Sequence, residues 1–241
     1  MKTIKQLLIT VAVLLYSVTA SAHDFEVDGI YYKIISESDL TVEVTYKGRS
    51  YNANSNEYSG ELVIPVTVIY NAKTYSVTNI ENDAFHDCTS LTNVTIGNNV
   101  TNIEDQAFYG CRSLTNVTIG NSVTNIGRYA FNGCTSLTSV TIPNNVITIE
   151  TGAFYDCTAL TRITIGNSVT SIGSLAFKNC SKLAYVTIPN SVTTIGSSAF
   201  SGCKNLASIT IPNSLTTIKN ETFYNCYALK IQPMTLKPSK A

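Results

Sequence analysis

The chain has 241 residues, with 16 Lys+Arg against 16 Asp+Glu, 44% apolar residues and 13% charged ones. So large an apolar share with so little charge excludes a disordered chain or a charged coiled coil, because a packed interior is available to offset the ordering entropy. A formal net charge of zero leaves no surplus of bases for phosphates, which excludes nucleic acid as an expected partner.

Residues 1–22 read as a secretory signal peptide. Lys2 and Lys5 precede the apolar run 7–16, and Ala20-Ser21-Ala22 supplies the small residues of an A-x-A cleavage site. The run is about half of the roughly 20 residues that a spanning helix needs, so no integral membrane segment is expected after cleavage. No Cys precedes Cys88, so a lipid-modified Cys at the cleavage site is not expected either. Secretion or display at the cell surface follows, with the periplasm a further location that such a leader permits.

Residues 23–79 read as a β-rich N-terminal cap. Phe25-Glu26-Val27 and the stretch 30–35 flank Asp28-Gly29, a two-residue hairpin signal. Residues 40–46 alternate around Val42 and Val44, and the runs 66–70 and 74–77 flank Asn71-Ala72-Lys73. Leu62-Val63-Ile64-Pro65 and Val77-Thr78-Asn79-Ile80 read as an incomplete first repeat merged into this cap. The charge is uneven: residues 24–105 hold 13 acids and 4 bases, whereas residues 106–241 hold 3 acids and 10 bases. One end of the molecule is therefore acidic and the other basic.

The rest of the chain is periodic. Cys88, Cys111, Cys134, Cys157, Cys180, Cys203 and Cys226 are spaced at a constant 23 residues, a Phe stands three positions before each and a Leu three positions after. Seven units fill residues 80–240, the last one incomplete and acting as the C-terminal cap, which defines a solenoid. Within the unit at Leu137, Val140 and Ile142 alternate with Ser139, Thr141 and Pro143, which predicts a short strand with the first pair inward and the other three outward. The Ala-Phe-x-x-Cys stretch is too short for a full helix and predicts a single helical turn or a 3₁₀ piece, with Ala, Phe and Cys facing the core. Stacking would pair the strands in parallel at about 4.8 Å. Pro233 replaces the usual Thr and, with Lys230 and Lys237, is expected to blunt the last sheet edge.

The unit L-x-x-V-x-I-P/G-N-S-V-T-x-I-G-x-x-A-F-x-x-C resembles the leucine-rich repeats, and over residues 80–231 it is similar to their BspA-like branch of bacterial and protist surface proteins. The resemblance implies a leucine-rich repeat solenoid with a parallel β-sheet on one face and short strands and single helical turns on the other. It further implies a protein that binds protein partners, host matrix proteins or adhesion targets among them, and it implies no catalytic residue.

Several columns invite chemistry. The Cys column reads as a ladder of buried reduced thiols, because equivalent side chains in stacked units point the same way rather than at each other. No His or second Cys sits at ligand spacing, so neither a metal nor a cofactor is expected. Glu81, Asp83, Asp87, Glu104 and Asp105 lack the spacing of a calcium loop and read as a solvated acidic rim. No nucleophile, base and acid set stands out around His23 or His86, so catalysis is not expected. The outward Thr column, which includes Thr164 and Thr187, reads as ordinary exposed strand residues rather than an ice template.

Beside it runs a second outward column of Asn93, Asn116, Ser139, Arg162, Tyr185 and Ser208, with Gly97, Gly120, Pro143, Gly166, Pro189 and Pro212 flanking the pair. Arg162 and Tyr185 break its small polar character at adjacent repeats. Arg and Tyr often carry interface energy, so Arg162, Tyr185, Thr164 and Thr187 are the candidate ligand-binding residues. A protein partner is the first expectation. The alternative is a structural or glycan-binding component of the bacterial envelope, which the scarcity of aromatics on the strand face disfavours.

Overall fold

The computed structural model describes residues 22–48 and 57–230. Residues 1–21 of the expected leader, and Pro233 and Lys237 at the expected blunted edge, lie outside the described residues.

The N-terminal strands are β1 (Phe25–Val27), β2 (Ile30–Ser36), β3 (Thr41–Thr45), β4 (Ser59–Ile64), β5 (Thr67–Tyr70) and β6 (Lys73–Ile80). Strands β1 and β2 form the hairpin around Asp28-Gly29, whose φ values of 51° and 77° suit a tight turn. Strand β3 pairs antiparallel with β2 and parallel with β6, and β5 turns back onto β6 through Asn71-Ala72. Tyr58 ties these strands together from inside: its hydroxyl donates to the Thr45 carbonyl at 2.8 Å and accepts from the Tyr31 amide at 3.1 Å. Glu81 is not part of a solvated rim. It pairs with Lys33 at 2.7 Å and accepts from the Thr45 hydroxyl.

Two strands per coil then repeat. One series is β7 (Ser90–Ile96), β9 (Asn116–Thr118), β11 (Ser139–Thr141), β13 (Arg162–Thr164), β15 (Tyr185–Thr187) and β17 (Ser208–Thr210). The other is β8 (Asn102–Ile103), β10 (Asn125–Ile126), β12 (Thr148–Ile149), β14 (Ser171–Ile172) and β16 (Thr194–Ile195). The first series extends β4 into a seven-stranded parallel sheet, with Leu62 opposite Val94 and Ile64 opposite Ile96. The second continues β6, with Ile80 opposite Ile103, and completes a ten-stranded sheet. The N-terminal strands and the repeats thus share one continuous apolar core.

The five coils that begin at Leu91, Leu114, Leu137, Leu160 and Leu183 bury the same set of side chains, whereas the last coil leaves Ile211 and Ile218 exposed. In the third full coil these are Leu137, Val140, Ile142, Val146, Ile149, Ala153, Phe154 and Cys157, none more than 4% exposed. The Phe rings form a near-parallel stack, with centroids 4.7 Å apart between Phe85 and Phe108 and widening to 6.0 Å between Phe200 and Phe223. All seven cysteines carry thiols rather than disulfides. Six of them donate to the carbonyl of the Phe in the preceding coil, as Cys157 does to Phe131 at 3.2 Å. Burial raises the Cys157 thiol far above its ordinary value, so these groups stay protonated donors.

Two expectations about the coil are corrected. The Ala-Phe-x-x-Cys stretch holds neither a helical turn nor a 3₁₀ piece; it is a chain of turns between coils. The Ala84, His86 and Cys88 amides close local turns onto Glu81, Asp83 and Phe85, whereas the alternating Asp83, Phe85 and Asp87 amides reach forward to the Asp105, Ala107 and Tyr109 carbonyls of the next coil. Positive φ values of 58° at Asp83 and 53° at Asp87 interrupt any helical run. Half of the amides therefore depend on a neighbouring coil for a partner, which a helix would have satisfied locally.

The Gly/Pro column, expected outward, is folded in. Gly120, Pro143, Gly166 and Pro212 are buried, and Gly97 and Pro189 are half-buried. The column lies at the corner where each coil leaves the strand, tight against its neighbour: a Cβ on Gly166 would run into the Pro143 carbonyl oxygen. Close approach of the backbones sets this residue type.

Candidate binding face

The outer face of the seven-stranded sheet is built from alternation. In β13, Arg162 and Thr164 are exposed and Ile163 is buried, and in β15 Tyr185 and Thr187 are exposed around buried Val186. The inward Ile163 and Val186 fix the register, because a one-residue slip would bring Arg162 into the core. Arg162 stands directly opposite Tyr185 in the parallel ladder, and Tyr185 keeps 48% of its surface exposed. Next to them a shallow depression of about 250 Å³ is lined by Arg162, Thr164, Asn167, Tyr185, Thr187 and Pro189. All four sequence candidates therefore border one concavity.

Similar depressions recur along the face. One of about 280 Å³ is lined by Asn116, Thr118, Ser139 and Thr141, and one of about 450 Å³ by Val63, Pro65, Val66, Thr95 and Asn98. Shape alone does not distinguish the Arg162–Tyr185 place; a guanidinium beside a phenol ring does. Thr side chains on the coil corners are already engaged: Thr115, Thr138 and Thr161 each donate to the carbonyl 23 residues earlier at 3.0 to 3.3 Å. These hydroxyls staple coil to coil.

Two features escaped the sequence reading. Val63, Val66 and Ile69 are 64%, 44% and 67% exposed, which gives the N-terminal end of the molecule an apolar shoulder. On the turn face, Tyr109, Tyr129 and Tyr155 are half-buried, with Tyr109 stacked on His86 at 4.7 Å and Lys178 Nζ lying 6.0 Å from the Tyr155 centroid. The signal was present in the variable slot after each Phe, where Tyr109 and Tyr155 occur.

No group of three or more acidic, His or Cys side chains among the described residues is arranged to hold a metal ion. No helix among the described residues is long and apolar enough to cross a membrane. The acidic end carries the perturbed carboxyls. Burial drives the Glu57 carboxyl up to about 7 against the opposing Lys47 amide, and burial raises Glu43 despite its pairing with Lys33.

The repeats match the BspA type leucine-rich repeat region, in six copies, over residues 70–184 and 170–236. Among solved structures, a leucine-rich repeat protein from Bacteroides ovatus shares 31% identity at a TM-score of 0.63, covering 86% of this chain and 46% of its own. The pneumococcal vaccine antigen PcpA shares 22% identity at a TM-score of 0.59, covering 80% and 49%. The leucine-rich repeat protein TpLRR of T. pallidum shares 22% identity at a TM-score of 0.51, covering 86% and 90%. This chain spans about half the length of the first two, and the last two likenesses establish the fold alone. No curated protein sequence is significantly similar to this one. The 23-residue unit, its parallel ladder and the match across most of the repeats together place the chain in the BspA-type leucine-rich repeat family.

Proposed function

We propose that this is an exported binding protein whose seven-stranded sheet docks a protein partner outside the cell, on a host matrix or a neighbouring cell. Residues 1–22 direct export, residues 23–79 cap the solenoid at its acidic end, and residues 80–240 form the recognition array. The observation that carries this function is the in-register pair Arg162 and Tyr185 on the open strand face. A guanidinium and a phenol side by side offer hydrogen-bond donors and an aromatic face, and Arg and Tyr are among the residue types that dominate interface energy. Rigid, hydrogen-bonded strands hold both Cα positions before a partner arrives, which reduces the entropy lost on binding.

The test is a pull-down with signal-cleaved protein against purified extracellular matrix proteins and polysaccharides. Capture of a matrix protein by the parent chain and its loss in the Arg162→Ala/Tyr185→Ala double variant supports the assignment. Undiminished capture by that variant refutes the strand-face site.

A further inference from the structure

A second concavity lies on the turn face, away from the strand columns. One position in every coil, occupied by Asp87, Gly110, Gly133, Asp156, Asn179, Gly202 and Asn225 in successive coils, has a positive φ between 53° and 75°. Gly, Asn and Asp, which tolerate that conformation best, fill the column. Where Asp or Asn stands, a side chain covers the coil junction. At Gly110 and Gly133 two successive coils carry none, and the surface there holds a shallow, open cleft of about 520 Å³.

The walls of the cleft are chemically mixed. Tyr109 lines one side, and its ring is held by the parallel stack on His86, 4.7 Å away at an interplanar angle of 7°. Arg112 and Asn132 bring N–H donors, and Asp156 brings a carboxylate whose Oδ1 already accepts from Asn179 Nδ2 at 2.8 Å. The Asp87 side chain of the preceding coil lies against Gly110, where a Cβ would strike its Oδ1.

We propose that this cleft binds a neutral oligosaccharide, with one pyranose ring laid against Tyr109 and its hydroxyls bonded to Asp156, Asn132 and Arg112. A sugar presents a C–H face for an aromatic ring and hydroxyls that both donate and accept, which matches donors and acceptors placed around one ring. A phosphate ligand would face the Asp156 carboxylate, and an ammonium ligand would face Arg112; neither suits the whole rim. The site is separate from the strand face and does not rest on the protein-partner function.

The experiment titrates the signal-cleaved protein with cellohexaose, xylohexaose, laminarihexaose, mannohexaose and chitohexaose by calorimetry, at millimolar sugar. The decisive variant is Gly133→Asn. Asn occupies the same column at Asn179 with φ 62°, and a Cβ at Gly133 meets only Gly110 Cα at 3.7 Å and its nitrogen at 3.8 Å, so the fold accommodates the side chain while the cleft is filled. At least one oligosaccharide is expected to bind, and Gly133→Asn should weaken it by roughly tenfold or more with little change in thermal midpoint, while Tyr109→Ala should weaken it as much and lower the midpoint through the lost stack on His86. The Arg162→Ala/Tyr185→Ala variant should bind the sugar normally. Binding unaffected by Gly133→Asn overturns the site. No binding of any probe overturns the ligand class, and loss of protein capture in Gly133→Asn would then assign the cleft to a protein partner instead.

Discussion

Replacing Phe154 by Ala removes a ring that is fully buried and stacked on both faces, 5.2 Å from Phe131 and 5.5 Å from Phe177. Transfer of the ring to water and the cavity left between two coils together cost about 3–5 kcal/mol for such a site. Phe223 provides the internal control. It is only half-buried and touches one ring of the stack, Phe200, at 6.0 Å, so its truncation should cost roughly 1–2 kcal/mol, because fewer neighbours enclose the cavity. Urea unfolding followed by far-ultraviolet circular dichroism measures both, read as shifts of the midpoint at unchanged slope. Comparable losses at the two positions would refute the nearest-neighbour stacking on which the difference rests.

Three further outcomes follow from the structure. Arg162→Ala and Tyr185→Ala should each weaken the captured partner by roughly 1–3 kcal/mol in surface plasmon resonance while leaving the thermal midpoint nearly unchanged. Glu57 should contribute stability below about pH 4.5 that is lost as pH rises toward 7, because its folded-state carboxyl, raised from 4.5 to about 7, holds its proton more tightly than the unfolded one. Glu57→Gln should therefore flatten the stability profile between those values, and an unchanged slope would exclude Glu57 as its source. Thiol titration of the unreduced protein should count seven groups after denaturation, with half-buried Cys226 reacting first under native conditions; a total far below seven would mean disulfides.

The sequence by itself determined the repeat, its 23-residue step and the core. Each coil must fill the same interior cross-section, so Leu, Val, Ile, Phe and Cys recur at fixed places and their columns are visible without coordinates. Alternation also fixed the exposure of Arg162 and Tyr185, since buried Ile163 and Val186 dictate which way their neighbours point. Other features depended on contacts between coils. The turn face was misread as helical because its alternate amides seek carbonyls in the next coil, as Phe85 does with Ala107, and a local propensity argument sees only partners nearby in sequence. The Gly/Pro corner was misplaced for the same reason: alternation gives a direction, whereas burial there comes from the neighbouring backbone. The turn-face cleft needed both left-handed backbone at Gly110 and Gly133 and the juxtaposition of Tyr109 with Asp156 from two coils further on. Stacking puts such residues side by side, and only the tertiary structure decides which of them face the same hollow.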